Sequence, residues 1–278
     1  MRWPGFRKVR RQVCKRIDRR IGELGLSDTA SYRDYLEQRP DEWRVLDPLC
    51  RITISRFYRD KAVFRFLEQD VLPALARTTG ERGEHELRCW SIGCASGEEP
   101  YTLALLWDAV ILPAFPKTRL SITATDADPA MIERAEAGCY GTGSLKELPR
   151  EWMDAGFEKP GNRYCVRENV REIVGFAVQD VRDTLPGGSF HLILCRNLVF
   201  TYFDEELQRQ VLASIRERLL PGGALVVGIH ESLPQGAAGF TPWSQKLGVY
   251  SLSEKQQTAG GDGEDGHDRA DPLEPQVE

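Results

Sequence analysis

Glu98 and Glu99 stand side by side directly after a run of small residues, Gly93-Cys-Ala-Ser-Gly97, which itself follows the apolar stretch Leu87 to Ile92. An apolar strand, a glycine turn and a helix with Pro100 in its first turn form a unit that lets a ligand reach bare backbone at the carboxyl end of a parallel strand. Charge narrows the choice of ligand. Two carboxylates at the head of the helix repel the phosphates that dinucleotide and P-loop sites hold there. A cationic, hydroxyl-rich ligand suits them better, and S-adenosylmethionine carries a sulfonium, an ammonium and a ribose diol. The alternative is a packed turn whose carboxylates only complement the helix dipole.

Other polar residues fall at matching places. Asp126 closes the apolar stretch Thr123-Ala-Thr-Asp126, where a carboxylate can accept both hydroxyls of a ribose. Asp128, just before Pro129, is placed to cap the helix that follows. Asp180, in Val178-Gln-Asp-Val181, is positioned to meet the exocyclic amine of adenine, with Val181 packed on the ring. The run Leu192-Ile-Leu-Cys195 ends in Arg196 and Asn197, a cation and an amide that packing does not require. For Arg196 two readings stand, a ligand contact or a salt bridge to Glu98 or Glu99. Tyr202 lies just beyond. The segment Thr53-Ile-Ser-Arg-Phe-Tyr-Arg-Asp60 puts two aromatics and two arginines between two halves of the chain, and interdomain crevices are favoured ligand sites. His230 and Glu231 form a candidate acid/base pair.

The elements that must align these residues are legible from periodicity. Apolar groups recur at helical spacing over residues 5–26, Ser27 or Asp28 can cap a second helix, and helices are expected near 30–38, 41–50 and 60–76. From Leu87 onward strand and helix alternate: strands at 87–92, 119–125, 173–178, 189–195, 223–229 and near 247–252, helices at 98–111, 129–137 and 204–219. That alternation predicts an α/β fold with a mostly parallel sheet covered on both faces. Residues 139–172 break it with turns and a hairpin around Tyr164 to Val166, the mark of a small insertion. The expected organisation is a helical N-terminal domain with linker over 1–80, an α/β domain over 81–257 with an insert at about 139–175, and a disordered acidic tail over 258–278.

Composition limits the remaining classes. With 41% hydrophobic and 28% charged residues the chain reads as a globular cytoplasmic protein. No apolar run approaches the roughly 18 residues that a membrane span needs, so no membrane insertion is expected. The seven cysteines, at 14, 50, 89, 94, 139, 165 and 195, form no CxxC pair, which predicts reduced thiols and no metal centre. A net charge of −5 conceals an asymmetry: residues 1–20 hold nine Lys or Arg against Asp18 alone, while the last twenty hold seven acids and one Arg. A pI near 5.6 and the lack of an Asn/Asp-Pro-Pro-Tyr/Phe motif argue against nucleic acid as substrate.

Taken together, these stretches resemble the CheR family, S-adenosylmethionine-dependent methyltransferases that esterify glutamates on bacterial chemoreceptors, over about residues 7–255. The resemblance is carried by Ser55-Arg-Phe-Tyr-Arg-Asp60, Gly93-Cys-Ala-Ser-Gly-Glu-Glu-Pro-Tyr101, Ala124-Thr-Asp-Ala-Asp128 and Cys195-Arg-Asn197, and by the basic Lys15-Arg-Ile-Asp-Arg-Arg20. It implies a Rossmann-like class I methyltransferase sheet with a helical N-terminal domain and an inserted subdomain, S-adenosylmethionine as cofactor and S-adenosylhomocysteine as product. It places Thr53, Ser55, Arg59, Glu98, Asp126, Asp180 and Asn197 around the cofactor, beside Gly93, Val181 and Arg196, and sets Arg59 and Tyr202 near the methyl acceptor. The implied partner is an acidic helical segment of a chemoreceptor or another signalling protein, facing the basic first helix. In some members the insert docks a receptor tail peptide. Four departures accompany the resemblance. One extra residue precedes Tyr202, which on a helix would rotate it by about 100° relative to the Arg-Asn pair. His191 replaces an acidic residue, Asp180 replaces the usual Asn, and Gly228-Ile-His-Glu231 replaces Gly-His-Ser-Glu. A CheR-like enzyme with a different protein or small-molecule acceptor and a non-catalytic cofactor-binding scaffold are the rival readings.

Overall fold

The computed structural model describes residues 10–50 and 55–253. Thr53 and the acidic segment 258–278 lie outside the described residues. Three helices come first: α1 (Arg10–Glu23), α2 (Thr29–Gln38) and α3 (Glu42–Cys50). Asp28 caps α2 by accepting the Ser31 N–H at 2.8 Å. Ile21, Tyr32 and Leu36 form a small apolar centre. Beside it the buried Glu42 accepts two parallel bonds from Arg20 (2.8 and 2.9 Å) and one from the Tyr32 hydroxyl (3.0 Å). A polar clasp thus supplements a centre too small to hold three helices by apolar burial alone.

After the linker, α4 (Lys61–Phe66) passes through a wider π-turn into α5 (Leu72–Glu81). This extends the helix beyond the expected end at Ala76, because Pro73 sits where α5 restarts rather than near a terminus. The main sheet has the order β6-β2-β1-β7-β8-β10-β9. Its strands are β1 (Glu86–Ile92), β2 (Arg119–Asp126), β6 (Val174–Val178), β7 (Phe190–Cys195), β8 (Leu219–Val227), β9 (Phe240–Ser244) and β10 (Val249–Leu252). The first five in spatial order run parallel, and β10 and β9 close the edge antiparallel. All six residues of β7 are buried, as a central strand covered on both faces requires. The crossovers are α6 (Glu98–Leu106), α7 (Pro129–Ala137) and α11 (Glu205–Arg218), with short α10 (Val199–Tyr202) before the last. β9 was not foreseen, since Phe240-Thr-Pro-Trp-Ser244 carries a proline that only an edge strand tolerates.

The insertion forms a separate three-stranded sheet of β3 (Cys139–Tyr140), β5 (Tyr164–Val166) and β4 (Phe157–Glu158), with α8 (Arg150–Gly156) and the short α9 (Glu168–Arg171). Here one expectation is corrected. Cys139 and Cys165 are joined as a disulfide, so reduced thiols are found at the other five positions: 14, 50, 89, 94 and 195. The two cysteines are 26 residues apart in sequence but direct partners across β3 and β5, a proximity that spacing alone does not reveal.

Candidate active site

The strand order puts the ends of β6, β2, β1, β7 and β8 in one row. With about 4.8 Å between neighbours, four steps span about 19 Å, an edge long enough for an extended nucleoside–amino-acid ligand. At its centre the glycine turn after β1 is lashed to β2, since the N–H groups of Gly93 and Cys94 both donate to the Thr125 carbonyl (2.8 and 3.0 Å). Gly93 has φ +69°, and a Cβ there would lie 2.5 Å from Leu198 Cδ2. Glycine meets both conditions without backbone strain or displacement of Leu198.

Asp126 stands beside this turn. Its Oδ2 accepts the Ala95 N–H and its Oδ1 the Asp128 N–H, each at 2.9 Å. Two backbone donors therefore fix the carboxylate plane. Asp128 caps α7 through the Ala130 N–H, so the two aspartates divide the work. At the end of β6, the Gln179 N–H donates to the Asp126 carbonyl (3.0 Å), which brings Asp180 next to Asp126. The Asp180 carboxylate is held by Arg182. Val181 packs against the apolar cluster that contains Trp90 and Ile193. The exposed apolar side chain at this end is Val178, 52% accessible and in register with Asp126.

Glu98 and Glu99 part company in the fold. Glu98 is buried and both its oxygens accept from the Ser96 hydroxyl (3.1 and 3.0 Å). Glu99 accepts from Ser91 (3.0 Å) and from Arg196 Nη1 (2.9 Å). Arg196 also binds Asp60 at 2.6 Å and the Arg59 carbonyl at 3.2 Å, and lies over the Phe64 ring. Of the two readings open for Arg196, its contacts are those of the salt bridge, and its partner is Glu99. It joins β7 to α6 and to the linker.

The lining of the cleft beside this bridge includes Ser55, Arg59, Gly93, Ala95, Glu99, Arg196 and Asn197. Arg59 Nη2 donates to Asn197 Oδ1 at 3.4 Å. Arg56, the other linker arginine, pairs with Glu147 of the insertion at 3.2 Å. The four non-glycine residues with positive φ among the described residues gather here: Tyr58 (+56°), Asp60 (+61°), Ala95 (+48°) and Asn197 (+56°). Ala95 and Asn197 line the cleft, and Tyr58 and Asp60 flank Arg59. Strained backbone of this kind is kept where a site demands it.

Glu231, expected to pair with His230, holds Asn197 in its strained turn. His230 is exposed. Glu231 instead accepts the Gly228 N–H (2.6 Å), the Asn197 N–H (2.8 Å) and the Thr201 hydroxyl. Burial pushes its carboxyl up, and these donors pull it back. Thr201 immediately precedes Tyr202, and its bond to Glu231 draws the lengthened segment to the end of β8. Tyr202 closes α10 half-buried. Burial raises its phenol above the ordinary value, and the nearby charge of Arg59 offsets this in part. His191, the other departure, lies at the opposite edge of the sheet. It is buried, takes the Arg88 N–H on Nδ1 at 3.1 Å, and has Glu84 3.4 Å from Nε2.

This donor set fits S-adenosylmethionine. The Asp126 carboxylate, pinned at the end of β2, and the cleft lined by Ser55, Arg59 and Asn197 lie along one edge, while Glu98 and Glu99 are taken up by Ser96 and Arg196 and Val181, expected on the adenine ring, packs on the apolar cluster. Comparison with known proteins agrees. Residues 53–248 match the family model described as CheR methyltransferase, SAM binding domain. The chain is 33% identical over 185 residues to a chemotaxis protein methyltransferase of Listeria monocytogenes, covering 66% of this chain and 67% of that protein. It is 30% identical over 254 residues to the chemotaxis protein methyltransferase of Escherichia coli, covering 88% and 84%. It is also 32% identical over 238 residues to an uncharacterised 104.1 kDa protein of Rhodobacter capsulatus, covering 86% of this chain but only a quarter (25%) of that longer protein. Among the described residues no helix is long and apolar enough to cross a membrane.

Proposed function

This chain belongs to the CheR family of S-adenosylmethionine-dependent methyltransferases, and from that premise we propose that it forms methyl esters on glutamate side chains of a chemoreceptor or a similar signalling protein. The observation that carries this reading is Arg59, a cation in the cleft bonded to Asn197 and close to Tyr202. A carboxylate acceptor needs a positive group to lead it in, and it needs no general base. With a pKa near 4.3 a glutamate is already ionised at neutral pH. Bound S-adenosylmethionine supplies a methyl group activated by its sulfonium. Asp126, Asp180, Asn197 and Ser55 would hold that cofactor, whose methyl group would pass to an acceptor carboxylate already ionised, so no residue of this chain would need to move a proton.

The residues of this chain then contribute position and environment. Asp126 orients the ribose, Asp180 the base, and Asn197 with Ser55 the amino-acid end, while Arg59 aligns the acceptor. Holding reactants in line can remove roughly 7–11 kcal/mol of the barrier. Since opposite charges neutralise each other in the step, exclusion of water by Tyr202 and the linker favours it further. The exposed Arg10, Arg11, Lys15 and Arg19 of α1 support an acidic helical segment as the docking partner.

A second reading, a methyltransferase with another acceptor, has one observation in its favour: the segment that carries the extra residue before Tyr202 is tied to Glu231 through Thr201, next to the side of the cleft that the first reading gives to the acceptor. One experiment separates the two. Chemoreceptor membranes incubated with the protein and methyl-labelled cofactor should acquire label that alkali releases as methanol, and Arg59→Ala should abolish it. Label on other proteins but none on receptors would select the second reading.

A further inference from the structure

We infer that Arg182 is a positioning residue for the cofactor, holding Asp180 toward the adenine and tying that carboxylate to the N-terminal helices through Asp47. This deepens the proposed function and rests on its placement of Asp180 at the base. The Arg182 N–H and Nε both donate to Asp180 Oδ1 (3.0 and 2.9 Å), and Nη2 donates to Oδ2 at 2.6 Å. The same guanidinium reaches Asp47 of α3 with two parallel bonds of 3.0 and 3.1 Å. Those two residues are 135 positions apart, so the bridge crosses from the helical unit to the end of β6.

A guanidinium suits this bridge best. Its planar fork presents five donors in fixed directions, enough to make parallel pairs of bonds to two carboxylates at once, whereas the three donors of an ammonium radiate from one nitrogen and cannot make such parallel pairs. The three side chains are 31%, 25% and 20% accessible for Arg182, Asp47 and Asp180.

A specificity follows from the residue type. A carboxylate only accepts hydrogen bonds, while an amide can turn to donate or accept. Asp180 therefore takes a 6-amino group and refuses a 6-oxo group, provided its plane is held. Arg182 holds it, and Asp47 holds Arg182. The affinity for the cofactor base thus depends on a helix α3 residue that need not touch it.

The test is calorimetric titration of the full chain with S-adenosylhomocysteine and with its 6-oxo analogue, S-inosylhomocysteine, alongside a melting curve for each variant. The unmodified protein should prefer the 6-amino ligand at least tenfold. Arg182→Gln should weaken S-adenosylhomocysteine about tenfold and bring the preference close to unity. Asp47→Asn should weaken it about threefold with a smaller preference, and Arg182→Lys should recover only part of the loss. Should Arg182→Gln fail to fold, Asp47→Asn decides. Unchanged binding in both variants, or equal weakening of both ligands with the preference intact, would overturn the positioning role. Absence of any preference in the unmodified protein would instead overturn the placement of Asp180, and the inference with it.

Discussion

Asp126→Asn changes one atom and tests the cofactor site at its most constrained point. Each carboxylate oxygen of Asp126 already accepts a backbone N–H at 2.9 Å, from Ala95 on one side and Asp128 on the other. An asparagine must turn its NH₂ group toward one of these donors, which breaks one bond and rotates the side chain out of plane. It also removes the charge that strengthens bonds from the two ribose hydroxyls. Losing one charge-assisted bond and weakening a second amounts to about 2–3 kcal/mol of binding. That corresponds to a rise of about 30- to 150-fold in the dissociation constant. The assay is calorimetric titration with S-adenosylhomocysteine, with thermal unfolding as a check that the fold persists. Asp128→Asn is the control. Its side chain only caps α7, a role asparagine fills equally well, so its affinity should stay unchanged. A dissociation constant for Asp126→Asn within threefold of the unmodified protein would refute the assignment of Asp126 to the ribose.

Three further outcomes are expected. Arg196→Gln leaves Glu99 and Asp60 facing each other without the buried cation between them, and should cost about 3–5 kcal/mol in urea unfolding; a loss below 1 kcal/mol would contradict the bridge. Burial and the neighbouring charge of Arg88 lower the pKa of His191 from 6.5, with Glu84 opposing and Arg82 adding a smaller push in the same direction. The unfolded chain then binds the proton more readily, so stability is fully present above about pH 6.5 and is lost as pH falls through the depressed value; His191→Gln should flatten that slope in pH-dependent melting. Finally, denatured but unreduced protein should expose five titratable thiols and reduced protein seven, and Cys165→Ser, which opens a 26-residue loop, should lower stability by about 3 kcal/mol.

Residue types alone disclose the parts whose logic is local. Strand, glycine turn and helix are contiguous from Leu87 to Leu106, so residue types alone located Gly93 and the carboxylates after it. Asp126 and Asp128 were told apart because a cap must precede its helix while a strand-end carboxylate need not. What depends on partners distant in sequence emerges only on folding. Arg196 chose Glu99, 97 residues away, over Glu98 next to it, because α6 turns Glu98 inward onto Ser96 and Glu99 toward β7. Glu231 braces Asn197 because β8 and β7 are neighbours in the sheet. Cys139 meets Cys165, and Asp47 meets Arg182, through pairings that only the folded chain creates. Periodicity reports which face of an element is buried; it carries no information on which distant side chain waits on the other side.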